Sequence, residues 1–185
     1  MSSSALIIGA GSGLSAALAR RCAADGMRVA LAARTGEKAR AVADETGASL
    51  HTCDAGAIED VAALFAAIDA EIGTPDLVIY NPSARVPGPI TDIDPAASRA
   101  ALDVTCFGAF LVAQQAARRM LQRGSGSIFF TGATAGVKGF ANSSVFAMGK
   151  FGLRGLAQAL ARELHPQNIH IGHFIIDGGI RSERS

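Results

Sequence analysis

The chain has 185 residues, and residues 1–185 are read as one domain with a single continuous core. Its 17 Lys and Arg against 16 Asp and Glu leave a net charge of +1, too little for the basic field that grips a nucleic-acid backbone. Apolar residues make up 49% of the chain, well above a disordered composition, but no uninterrupted apolar run approaches the roughly 20 residues of a membrane span. Neither nucleic acid nor membrane is an expected partner.

Small side chains dominate the apolar fraction: 37 Ala and 21 Gly stand against nine Phe, one Tyr and no Trp, a bias that lets helices lie close on a sheet. Met1 to Ser4 lead straight into a short apolar segment without a basic n-region or long h-region. No secretory signal is read, and the cytoplasm is the expected compartment. Apolar runs of strand length then alternate with longer stretches of helical period. Strands are predicted at residues 5–10, 27–33, 48–53, 76–80, 127–131 and 169–176, and helices at 13–25, 36–45, 57–72, 96–122 and 143–165. Runs without polar alternation suit strands covered on both faces. The predicted fold is α/β, a Rossmann-type doubly wound parallel sheet of about six strands with helices on both faces, and its binding crevice belongs at the strand C-terminal ends.

The first strand runs into Gly9-Ala10-Gly11-Ser12-Gly13-Leu14-Ser15 and then a helix. Glycine at such a corner permits positive φ and lets backbone N–H groups approach a pyrophosphate, while the free amides and dipole of the following helix favour its charge. Gly9, Gly11, Ser12, Gly13 and Leu14 are therefore candidate dinucleotide ligands; the alternative is a tight strand-to-helix corner. The second strand ends Ala32-Ala33-Arg34-Thr35, roughly 20 residues on, where an acid would accept from the adenosine ribose of NAD. Ala33 removes that acid, and Arg34 offers a planar fork for a 2′-phosphate, so NADP(H) is favoured over NAD(H). A solvated surface arginine is the other reading of Arg34.

The loop at residues 81–95 gathers Pro82, Pro87, Pro89 and Pro95, and its position after the fourth strand marks it as part of a site. Cys22, Cys53 and Cys106 lie far apart, are odd in number and lack a CxxC pattern, and the four His are scattered. No disulfide framework and no metal site are predicted. Tyr80, the only tyrosine, is read as a packing residue.

With the glycine turn, Asp54, Asn81, Gly108 and Lys150 in order, the chain resembles the short-chain dehydrogenase/reductase family over nearly its whole length. The family's T-G-x-x-x-G-x-G turn is matched at Gly9 and Gly13, with Ile8 for the Thr and Ser15 for the last Gly. The resemblance implies that Asp54 contacts adenine and that Asn81, in Asn81-Pro82-Ser83-Ala84, stands where N-N-A-G ends the fourth strand. It also implies that Gly178, Ile180 and Ser182, in Asp177-Gly178-Gly179-Ile180-Arg181-Ser182, stand where P-G-x-I-x-T holds the nicotinamide carboxamide.

By the same resemblance the family's catalytic Asn, Ser, Tyr and Lys fall on Thr105, Ala133, Phe146 and Lys150. Phe146 precedes Lys150 by one helical turn on the same face, so the spacing is kept and the phenol is absent. Lys150 retains the ribose contact, which needs only an ammonium. The expected function is NADP(H)-dependent hydride transfer between nicotinamide and a small carbonyl or alcohol substrate with a nonstandard proton donor. The alternative is an NADP(H)-binding protein with little turnover, a sensor or partner-binding module. By the same resemblance the domain is expected to lack the family's C-terminal substrate segment. Its two long helices imply a homodimer or homotetramer, although Phe107, Phe110, Leu111, Phe151 and Leu156 equally suit a core against the sheet.

Overall fold

The computed structural model describes residues 3–180. Six strands form one parallel sheet: β1 (Ser4–Ile8), β2 (Arg28–Ala33), β3 (Ser49–Thr52), β4 (Leu77–Tyr80), β5 (Gly126–Ala133) and β6 (Ile169–Ile176). Their order is β3-β2-β1-β4-β5-β6, so the chain winds outward from β1 in one direction and then returns to wind in the other. That reversal sends the connections after β1 and β4 to opposite faces of the sheet and opens a crevice above their C-terminal ends, where Ile8 pairs opposite Tyr80.

The helices are α1 (Leu14–Ala24), α2 (Glu37–Thr46), α3 (Ile58–Glu71), α4 (Pro95–Leu102), α5 (Gly108–Arg123) and α6 (Ser144–Leu164). Strand alternation sends Ala5 and Ile7 of β1 to one face, against Ala16 and Ala19 of α1 and Val42 of α2. Leu6 and Ile8 point to the other, into a larger core with Phe65 of α3, Val112 of α5 and Leu153 of α6. Each fully buried Leu, Ile or Phe contributes about 1.5–3 kcal/mol relative to exposure. The alanines of α1 add little area but allow the close helix-to-sheet approach that the composition implied.

The helix read at residues 96–122 is interrupted. It starts with Pro95 after Asp94, whose carboxylate accepts from the Ala96 and Ala97 amides at 3.2 and 3.0 Å. Asp103–Phe107 then widens into a π-helical turn between α4 and α5. A Cβ on Gly108 would lie 2.3 Å from the Ala55 carbonyl oxygen, so only glycine lets α5 begin this close to the loop after β3. By length and mean hydropathy alone the stretch Pro95–Arg123 is long and apolar enough to cross a membrane, a test that the core helix of a folded domain also passes. Counting uninterrupted apolar runs missed it because scattered polar residues break the run without cancelling the mean. In this fold Ala109, Val112, Ala113, Ala116 and Met120 of that stretch are core residues.

Leu111 is buried and Leu156 packs against the core, whereas Phe107, Phe110 and Phe151 are exposed, so the apolar residues of α5 and α6 divide between core and surface.

Candidate functional site

Gly9 follows β1 directly at φ +82°, and its amide and that of Ala10 both donate to Ala32 O at 2.9 Å, which ties the turn to β2. A Cβ at Gly9 would stand 2.7 Å from Pro82 N, whereas one at Gly11 would meet nothing within 4 Å. The first glycine is thus required by the fold, while the second faces open space. Ser15, at the family's last glycine, adds a strut. Its hydroxyl donates to Gly9 O at 2.9 Å and accepts from Asn81 Nδ2 at 2.8 Å, linking the ends of β1 and β4. The cap of α1 is Gly13, with no side chain occupying the helix N-terminus.

A cavity of about 310 Å³ lies over this corner and brings together Gly9, Arg34, Asp54 and Asn81. A second, of about 330 Å³, is lined by Gly11, Ser12, Gly13, Leu14 and Ile180, and shares Gly9, Lys38 and Asn81 with the first. Residues scattered over the sequence therefore converge on one trough running from the end of β2 to the segment after β6. Lys38 was not singled out from the sequence. It borders both cavities from the first turn of α2, on the same short segment as Arg34, and Thr35-Gly36-Glu37-Lys38 was the available signal. Asp54 keeps its carboxylate at the trough by accepting from the Gly56 amide at 2.9 Å. Gly178 adopts φ +133° just after β6 but borders neither cavity, and Ser182 lies outside the described residues.

Lys150, Phe146 and Ala133 do not line the trough; they sit beside it where α6 crosses the end of β5. Lys150 is 3% exposed, and its Nζ donates to Thr131 O at 2.7 Å. Burial, with a lesser contribution from the Arg85 guanidinium, pushes its ammonium down to about 8. The Phe146 ring is buried, with Arg85 Cζ 4.1 Å and Lys150 Nζ 5.7 Å from its centroid. Arg85, on the loop after β4, was not anticipated. Thr105 is buried in the π-helical turn and accepts from the Ala84 amide at 2.9 Å, holding that loop against the turn. Thr134, a candidate source of a replacement hydroxyl, donates to Asp177 Oδ1 at 2.6 Å.

Tyr80 is a core residue, as expected. Its hydroxyl donates to Val104 O in the π-helical turn, and burial pushes its ionisation far above the usual phenol range. All three cysteines are free, and burial lifts the Cys53 thiol to about 11, an inert state. Among the described residues no group of His, Cys, Asp and Glu could hold a metal ion.

A family model described as short chain dehydrogenase matches residues 3–183. The chain is 34% identical over 174 residues to a 3-dehydrosphinganine reductase of Arabidopsis thaliana, covering 90% of this chain and 53% of that protein. It spans about half the length of the first curated relatives it matches. The crystal structure of a short-chain dehydrogenase from Rhodopseudomonas palustris superposes with a TM-score of 0.86 at 37% identity, over 94% of this chain and 85% of that one. A metagenomic short-chain oxidoreductase in complex with NADP superposes with a TM-score of 0.88 at 29% identity, over 96% of this chain and 81% of that one.

Proposed function

The chain belongs to the short-chain dehydrogenase family, and on that premise we propose that it is an NADP(H)-dependent oxidoreductase acting on a small carbonyl or alcohol substrate. The observation that carries the reading is the single trough holding the glycine turn, Arg34, Lys38, Asp54 and Asn81 at the switch point of the sheet. Its chemistry fits the dinucleotide. The uncapped amides of α1 and the open space at Gly11 suit a pyrophosphate, and two cations without an acid at the end of β2 suit a 2′-phosphate. Asp54 faces the adenine end, Ile180 and Gly178 the carboxamide end, and the Lys150 ammonium serves the nicotinamide ribose.

When bound, the nicotinamide ring supplies or accepts the hydride. The chain's own residues orient the reactants and move the proton. In this reading Phe146 and Ala133 stand at the family's Tyr and Ser positions and can do neither, and the Thr134 hydroxyl is already committed to Asp177. Lys150, its ammonium pushed down to about 8, stands beside the Phe146 ring as the proposed acid. A positioned acid typically contributes about 10²–10⁴ in rate, so turnover is expected to be slow and to rest on proximity. Exposed Phe107, Phe110 and Phe151 suit pairing with a second copy, as a homodimer or homotetramer.

Consumption of NADPH across a panel of aldehydes, ketones and quinones tests the reading. The Phe146→Tyr, Ala133→Ser double variant is expected to raise carbonyl reduction by at least tenfold. Tight NADPH binding with no turnover in either protein would favour the alternative, a binding module built on the same trough.

A further inference from the structure

The last rung between β5 and β6 pairs Ala133 with Ile176. Beyond it β5 passes into a short 3₁₀ turn at Thr134–Gly136 and the ladder ends. A side-chain bond carries the connection one step further: the Thr134 hydroxyl donates to Asp177 Oδ1 at 2.6 Å, with the Ile176 carbonyl oxygen more distant at 3.4 Å. The short separation is that of a hydroxyl on an ionised carboxylate, a bond about twice as strong as a neutral one. Among the described residues no other hydrogen bond holds residues 177–180. Gly178 follows at φ +133°, a conformation that only glycine adopts readily, and Ile180 then lines the cavity of about 330 Å³ at the N-terminus of α1. The strand order places β4 and β5 between β6 and β1. Three strand spacings amount to about 14 Å, and four fully extended residues reach at most about 14 Å. Residues 177–180 therefore cross the C-terminal edge of the sheet as a strap with little slack, and its heading is set at Asp177.

We propose that Thr134 and Asp177 are positioning residues: their bond latches the strap so that Ile180 closes the trough at the N-terminus of α1, and it governs how fast a bound dinucleotide leaves. The inference rests on the dinucleotide reading of the trough and adds to it the control of release. With the latch broken, Gly178 and Gly179 leave two freely turning residues between Ile180 and β6. The glycine turn after β1 is untouched by that change, so dissociation alters more than association. Asp177 stands where the P-G-x-I-x-T pattern has Pro. A proline ring fixes the backbone at that point, whereas Asp177 restrains it through a bond to the neighbouring strand end.

Stopped-flow release of NADPH from the full chain, read beside denaturant unfolding of the same variants, tests the latch. Thr134→Val and Asp177→Ala are each expected to speed release about 3- to 10-fold with unfolding midpoints unchanged. The double variant is no faster than either single one, and Thr134→Ser, which keeps the hydroxyl, releases NADPH as the wild type does. Amide nitrogen-15 relaxation of Gly178, Gly179 and Ile180 in the nucleotide-free protein reads the strap itself, and its order parameters fall in Thr134→Val and Asp177→Ala. Release unchanged in both single variants, effects that multiply in the double variant, or order parameters that do not move overturn the proposal. A wild type that binds no NADPH sinks the dinucleotide reading instead, and the relaxation measurement then decides the latch by itself.

Discussion

Lys150 carries a charge into an almost solvent-free position, and that has a thermodynamic signature. Its folded-state value of about 8 lies below the ordinary 10.5, so between these pH values the unfolded chain holds the proton more tightly. The buried ammonium therefore costs stability in full below pH 8, on the order of 3 kcal/mol, and the cost fades as pH rises toward 10.5. Of the neighbouring groups, His173, pushed down by burial, is neutral throughout this window. Cys53 acts in the opposite sense above pH 9 and cancels in a difference between variants. Urea unfolding of wild type and Lys150→Met should show the wild type gaining relative stability from pH 8 to 10.5; a difference that stays flat would contradict the buried charge. The Phe146-to-Lys150 spacing was legible because both lie on one helix. Arg85 was not, since it reaches Phe146 from a proline-rich loop with no periodicity linking it to α6.

The turn after β1 separates fold from ligand binding at the level of one element. Gly9 holds a positive φ and has Pro82 against the place of its missing Cβ, so Gly9→Ala is expected to destabilise the protein by about 1–3 kcal/mol, read by denaturant unfolding. Gly11→Ala meets open space and should leave stability within about 0.5 kcal/mol while weakening NADPH binding. Equal stability losses in the two variants would mean that the second glycine is structural and not part of the cradle. All six strands and this corner were legible from apolar runs and glycine spacing. The π-helical turn at Asp103–Phe107 was not: a widening of one turn leaves the apolar rhythm of residues 96–122 intact, and its cause is tertiary, in the approach of Gly108 to Ala55 and the bond from Tyr80 to Val104.

Across the whole molecule, the sheet order makes the dinucleotide site a property of topology before it is one of side chains. The reversal between β1 and β4 creates the crevice, and in the function proposed above the cations after β2 favour the phosphorylated dinucleotide. Arg34 could be read from its place after the second strand, whereas Lys38 became visible only when α2 turned it toward the same cavities. Together they provide more positive charge than an unphosphorylated ribose can use. Calorimetric titration of the full chain with NADPH and NADH, repeated on the Arg34→Ser, Lys38→Ser double variant, addresses this most directly. The wild type should bind NADPH at least tenfold more tightly than NADH, and the double variant should lose that margin. Equal affinities in the wild type, or no heat with either dinucleotide, would contradict the account.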